Sequence, residues 1–413
     1  MKLLMAMMMM AGAQLGAHMI MPALPQISRD LAIGSGESQQ IILLYFFAFG
    51  LSQLLLGPLS DSLGRRKIFI LGQALFVLGS LLACFAHSPN ELMFGRVLQG
   101  LGAGAPLIIS RVLLSDAYRG KALSQALASL GICTTVAAVM APILGGVITS
   151  WLNWHSVFAL LAVYLGITLI MGMLVLKDKP TDKRTDKTRQ KPNSQGPANS
   201  SALQNMGTSL ANILRQYLGF SRDPYLLSVA AYKWLISLLM LSSLAFMPFE
   251  LQGRLGLSAA QYSYALLLPS LAPIMGSVLI KLCLRYYSAQ WLLLMFSQLI
   301  LVAGLIFILA PFTLFNMMLA YAIFLLALGA SFACVMQLLV SPYPQQAGAV
   351  TAYVGAIEML VFSSLAIQVN AWFINDVQAL GILYVAAFSL MLVCWWGLWR
   401  QGNSEQNTGL KQA

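Results

Sequence analysis

Charge is scarce in this chain. Asp, Glu, Lys and Arg make up 9% of its 413 residues, where a soluble domain carries roughly a quarter. So few charges cannot cover the surface of a soluble fold of this length, which leaves the bilayer as solvent. In hydrocarbon every backbone polar group must be satisfied internally, so the chain must form helices or a closed barrel. A barrel needs short alternating strands. The apolar runs here are long, continuous and rich in Leu, Met and Ala, so they read as helices. Histidine is equally sparse. His18, His87 and His155 lie far apart and show no metal-ligand spacing. The five cysteines all sit inside apolar runs, with no two placed as a metal-type pair. They read as small hydrophobes. No phosphate-binding Walker loop appears, which argues against ATP as the driving force. No metal and no cofactor are expected.

About twelve apolar stretches reach the roughly 20 residues that a spanning helix needs. Their approximate limits are 3–24, 39–59, 68–87, 91–113, 122–149, 155–176, 225–249, 260–282, 290–310, 314–340, 347–370 and 379–399. The start "MKLLMAMMMMAGAQ" has the charge and small residues of a signal peptide. Its apolar run continues through "LGAHMIMPAL", which makes it long enough to span. The formal net charge of +11 could suggest nucleic acid, but its distribution says otherwise. With the N-terminus placed in the cytoplasm, all but four of the 24 Lys and Arg fall on that side. Arg29 and Arg254 fall opposite, and Arg96 and Lys233 fall inside spans. This positive-inside bias predicts both termini in the cytoplasm and accounts for the basic balance without nucleic acid.

The spans divide six and six. Residues 1–176 form one half and 225–400 the other, with a polar linker at 177–224 and a disordered tail at 401–413. The linker opens with "KDKPTDKRTDKTRQKPNSQGPANSS", the composition of a disordered segment. Within it, apolar residues at helical spacing suggest an amphipathic surface helix over 203–219, or a linker that merely has that pattern. "MPALPQ" from Met21 and "MPFELQ" from Met247 fall at corresponding places in the two halves. So do "GPLSDSLGRR" from Gly57 and "GSVLIKLCLR" from Gly276. Two six-helix halves related along the membrane normal are a transporter plan, with the substrate site between them near the midplane.

The turn between the second and third spans reads "GPLSDSLGRRK". Positive-inside topology accounts for Arg65, Arg66 and Lys67 but not for the whole pattern. Gly57 leaves room for a neighbouring helix, Gly64 permits a tight turn, and Asp61 offers a carboxylate to a helix N-terminus. At these residues the chain resembles the major facilitator superfamily, whose signature loop this is. "RVLQGLGAGA" from Arg96 resembles that family's fourth-helix motif. "AVMAPILGG" from Ala138 resembles its fifth-helix antiporter motif, with Ala141 where many members have Gly, followed by Pro142, Gly145 and Gly146. "MPALP" and "SDAYRGK" resemble the Bcr/CflA and EmrD-type drug:proton antiporters. The resemblance implies an all-α membrane fold of twelve helices that exports small lipophilic and often cationic compounds, coupled to protons, from a bacterial cytoplasmic (inner) membrane. It also implies a latch in which Asp61 meets the eleventh span and Arg65 pairs with Asp116. A monomer is expected.

An ionisable residue in a span costs at least about 2.5 kcal/mol near the centre and marks a functional candidate. Glu358 is the one carboxylate deep in a span. Lys233 lies within about 5 Å of its depth at helical rise, so a salt bridge that opens on protonation is one reading and a permanent pair the other. His18 is a further proton candidate, because the first span has Gln14 and His18 where several antiporters it resembles carry a carboxylate. Arg96 is expected to organise polar groups with Gln14, and Ala141 to Gly146 to let the fifth span pack on the eighth. Tyr45, Phe49, Tyr232, Trp234, Phe246 and Tyr353 could give an aromatic wall for a lipophilic cation. Met5 and Met7 to Met10 offer compliant surface or plain filler. The leading reading is a proton-coupled multidrug exporter. An exporter of one metabolite or sugar is the alternative within the class. A membrane-embedded enzyme lacks its clustered His, Asp or Ser motifs, and a sensor lacks its added soluble domain.

Overall fold

A computed structural model describes the backbone of residues 1–176, 217–343 and 346–409, without the side chains of 57–63, 121, 124, 128, 347–348 and 401–409. Every regular element among the described residues is helical. Twelve helices are long and apolar enough to cross a membrane. They are Lys2–Asp30, Ser35–Leu56, Arg65–Cys84, Pro89–Ala117, Gln125–Trp151, Trp154–Val175, Pro224–Arg254, Ala259–Cys283, Ala289–Leu309, Leu314–Val340, Ala349–Trp372 and Val377–Arg400, called here the first to twelfth spans. The surface helix expected at 203–219 lies almost wholly outside the described residues. The backbone of the twelfth helix stays helical to Gly409.

Local chemistry sets the helix ends. Ser88 and Glu91 form a reciprocal capping box at the fourth span, and Ser258 and Gln261 form one at the eighth. Asn153 caps the sixth and Ser288 the ninth. The ninth and tenth spans, close in sequence, are separated by Thr313, whose hydroxyl caps Leu314–Val340. Gly64 joins the second and third helices at φ +92°, a conformation that glycine adopts at no steric cost.

Three spans are irregular. The first is helical over Lys2–His18, turns through a 3-10 segment at Met21–Ala23, and restarts as Leu24–Asp30. The sequence reading ended it at 24. Pro22 and Pro25 sit at the first turns of the new segments, where a missing N–H costs nothing, so the chain bends and continues. The eighth breaks at Leu266. The eleventh widens into a π-helix over Glu358–Phe362.

Packing repeats between the halves. The third span packs on the fourth and sixth, and the second on the fourth. The ninth packs on the tenth and twelfth, and the eighth on the tenth. The faint sequence repeat therefore corresponds to matching helix neighbours. One core fills the second half around Phe246, Phe324 and Tyr384. A core in the first half, around Tyr45 and Phe76, also takes in Leu238, Leu241, Leu244 and Ala366 from the seventh and eleventh spans. Large apolar side chains such as Leu71, Val163 and Leu268 stand exposed, as hydrocarbon solvent requires.

Gly64→Ala should lower the stability of the purified protein by roughly 1–3 kcal/mol, since a Cβ is strained at this φ. Thermal unfolding in detergent checks this; an unchanged melting temperature would show that the turn relaxes freely.

Candidate functional site

Lys233 and Glu358 meet between the seventh and eleventh spans. Lys233 Nζ forms an ion pair with Glu358 Oε2. Ser237, one turn beyond Lys233 on the same face, donates its hydroxyl to Glu358 Oε1. The two charged side chains are only 17% and 11% exposed. The surrounding frame is tight. Trp234 Nε1 donates to Val354 O at 2.9 Å, and its ring stacks on Phe362 with centroids 5.5 Å apart. Glu358 opens the π-helix, an extra-residue turn often found at functional sites. Ser364 then bonds back to Leu360 O at 2.8 Å. Chemically, a proton taken up by Glu358 would cancel its charge and leave the Lys233 ammonium without a counter-ion. The sequence placed Lys233 and Glu358 at compatible depth, but it missed Ser237, whose signal is the i, i+4 spacing from Lys233.

Arg96 is fully buried and meets no carboxylate among the described residues. Its Nε donates to Ile41 O at 3.1 Å, and Nη1 donates to Gly16 O at 2.9 Å and Gln99 Oε1 at 2.8 Å. Its Cζ lies 4.3 Å from the centroid of the Tyr45 ring. Gln99 in turn donates to Ser80 at 2.8 Å. One guanidinium thus ties the first, second and fourth spans, and reaches the third through Gln99. The first-span partner of Arg96 is the Gly16 carbonyl, and no hydrogen bond joins Arg96 to Gln14 among the described residues. His18 is half-buried at the end of the first straight segment, with its ring 6.2 Å from that of Phe46.

The expected aromatic wall is mostly interior packing. Tyr45 donates to Ala13 O at 3.1 Å and stacks on Phe49. Tyr232 donates to Leu293 O at 2.8 Å inside the second half, where Phe246 is also buried. Tyr353 packs against Tyr217 and Phe220 at 5.5 and 5.8 Å between centroids. A hydroxyl or indole N–H in hydrocarbon seeks a carbonyl, and that drew Tyr45, Tyr232 and Trp234 inward. Met5, Met9 and Met10 likewise lie in a core beside Phe69 and Ile109.

The two ends of the bundle differ. At the end with the basic turns, Arg65 pairs with Asp116, as the latch motif implies. Arg66 Nη2 donates to Met173 O at 3.2 Å. At Gly57 and Asp61 only the backbone is described. In the second half Tyr343 donates to Asp223, which also caps the seventh helix; no sequence motif announced this contact. At the opposite end, hydrogen bonds cross between the halves. Gln252 donates to Pro22 O at 2.9 Å, Asn370 to Gln39 at 2.8 Å, Ser263 to Pro142 O at 2.9 Å, and the Ala260 N–H to Ser150 at 2.9 Å. Here the antiporter-motif residues lie at close approaches. A Cβ on Gly146 would collide with Ser263 and Ala259 O of the eighth span, and one on Gly145 with the Met19 carbonyl. Ala141 is buried beside Met19 and Val157. Toward the basic end the fifth span loosens, and between 122 and 140 only Ala126 and Leu130 are buried among its described side chains.

Two matched six-helix halves, joined by small residues and polar bonds, with an ion pair inside the bundle, define a membrane-transporter fold. A family model described as Major Facilitator Superfamily matches residues 4–366, and the chain belongs to that family. It is 31% identical to "Multidrug resistance protein D" of Escherichia coli (strain K12) over 181 residues, covering 44% of this chain and 46% of that one. The match thus spans about half the length of that relative. It is 24% identical to "Multidrug resistance protein MdtL" of Shewanella sp. (strain ANA-3) over 381 residues, covering 91% of this chain and 87% of the relative. Among solved structures, a peptide transporter POT in complex with sulfate superposes with a TM-score of 0.72 at 16% identity, covering 95% and 93% of the two chains.

Neutralising one member of the central pair should cost about 3–5 kcal/mol, because it leaves the other charge buried and alone. Lys233→Met should therefore lower the melting temperature more than the double change Lys233→Met with Glu358→Gln. Equal losses in the single and double variants would show that the pair is not energetically coupled.

Proposed function

We propose that this protein exports small lipophilic, often cationic compounds in exchange for protons, by alternating access, as a monomer in a bacterial cytoplasmic membrane. Both termini face the cytoplasm in this reading, which rests on the Lys and Arg asymmetry. The observation that carries the coupling is the Lys233–Glu358 pair. It is mostly buried, it joins two spans, and one partner can be neutralised by a proton. Glu358 is the proton carrier, Lys233 is its counter-ion, and Ser237 orients the carboxylate. His18 is the second candidate for the proton route. Arg65 with Asp116, and Asp61 with Gly57, Gly64 and Arg66, form the cytoplasmic latch. Drug-like substrates are favoured because the two relatives described above are named for multidrug resistance.

Protein in liposomes with an imposed pH gradient, followed with a fluorescent cationic dye, tests the coupling. Wild type should move dye with the gradient. Glu358→Gln should bind dye but lose gradient-driven movement by at least about a hundredfold, the lower range for loss of an essential proton-transfer group. Unchanged movement in the variant would overturn the role of Glu358. No movement in wild type would overturn the drug reading and favour a narrow metabolite or sugar.

Alternating access requires the seal opposite the basic turns to open. Gln39→Cys with Asn370→Cys, placed where those side chains meet at 2.8 Å, should stop transport on oxidation and recover on reduction. Full transport with the cross-link formed would exclude opening between the second and eleventh spans.

A further inference from the structure

At the basic end, the arginines of the two corresponding turns are held differently. In the first half, Arg65 is neutralised by Asp116 and Arg66 is held by the Met173 carbonyl. In the second half, the corresponding turn carries Lys281 and Arg285, and Arg400 closes the twelfth span five residues past Trp395, whose indole reaches Gln290 at the start of the ninth. All three are exposed, and none forms an ion pair among the described residues. Ile280, buried, stands where the first half has Asp61. Asp223 is already engaged: it caps the backbone N–H groups of Tyr225 and Leu226 and accepts the Tyr343 hydroxyl.

Aromatic side chains are built into the same corner. Trp291 begins the ninth span six residues after Arg285, and its ring lies 5.5 Å from that of Trp395 on the twelfth. Trp395 Nε1 is anchored to Gln290 O at 2.8 Å, which locks the two helices together here. The Arg400 guanidinium lies 3.7 Å above the Trp396 ring, and Trp291 and Trp396 are 51% and 48% exposed. The ninth and twelfth spans pack on each other and on their own half, so this face looks away from the seam between the halves. Along it, Met295, Leu390 and Val393 are exposed and apolar.

We propose that this corner is a binding site for an anionic phospholipid of the surrounding leaflet. Arg285 and Arg400 hold the phosphate, with Lys281 adding field. Trp291 and Trp396 lie at the level of the glycerol backbone, and an acyl chain follows Met295 and Val393. Cations that lack a protein counter-ion at a membrane surface draw anionic headgroups, and indoles favour that interface. The site stands on charge and exposure in the second half alone, so it is independent of what the transporter carries.

Native mass spectrometry of the full-length protein in detergent tests this. It is titrated with dioleoyl phosphatidylglycerol, with dioleoyl phosphatidylcholine, and with inorganic phosphate. Wild type should bind phosphatidylglycerol in preference to phosphatidylcholine. Arg285→Ala with Arg400→Ala should lose roughly tenfold of that affinity. Lys67→Ala with Arg119→Ala, the same charge change on the other half, should lose little. Arg285→Lys with Arg400→Lys should retain most of the preference, which separates lost charge from lost fold. Equal binding of both lipids by wild type would overturn the proposal, as would equal losses in the two alanine pairs. Displacement of phosphatidylglycerol by millimolar inorganic phosphate would overturn the lipid assignment.

Discussion

Hydrocarbon offers no hydrogen-bond partner, so any charge that enters it must find one inside the protein. Among the described residues Arg96 and Lys233 lie inside the bundle, and they meet different kinds of partner. Arg96 is surrounded by two backbone carbonyls, an amide oxygen and the face of Tyr45. None of those partners is a carboxylate. Lys233 is satisfied by a carboxylate, which a proton can neutralise. The first half therefore sets its buried cation among neutral groups, and the second half sets its cation against a carboxylate.

That division fits the way the helices are built. Arg96 sits in a regular helix and knits its neighbours into one unit. Glu358 sits at the start of a π-helix packed against the second and seventh spans, and the first and eighth spans are also broken, at Met21 and Leu266. The first, eighth and eleventh spans all contribute to the bonds that cross between the halves. Those crossing bonds are neutral hydrogen bonds to carbonyls, amides and hydroxyls, each worth about 0.5–1.5 kcal/mol net. A seam made of such bonds and of glycine approaches can open without stranding a buried charge.

Much of this was legible in the sequence. The twelve spans follow from run length, and their limits differ from the structure mainly at ends where caps or proline decide. Arg65 with Asp116, and Lys233 with Glu358, were both anticipated, the first from a motif and the second from matching depth. The aromatic wall expected from the sequence is mostly interior packing in the structure, because spacing along a helix cannot tell a face that meets a cavity from one that meets another helix. Tyr232 and Phe246 belong to the interior of their own half. The neutral contacts of Gln39 with Asn370, and of Asp223 with Tyr343, carry no local signature, since the partners lie far apart in the chain.

The sequence by itself determined the solvent, the element type and the count of elements, because these depend on composition and on how many apolar residues run together. It also determined which charges would be costly, because a lone ionisable residue in an apolar run needs no partner to be noticed. Only the tertiary structure decided how those costs are met. Whether Arg96 meets a carboxylate or carbonyls, and whether Tyr45 faces a cavity or Ala13 O, depends on which helices become neighbours and at what rotation. Packing across the whole bundle sets those rotations, and a single helix seen alone does not contain them.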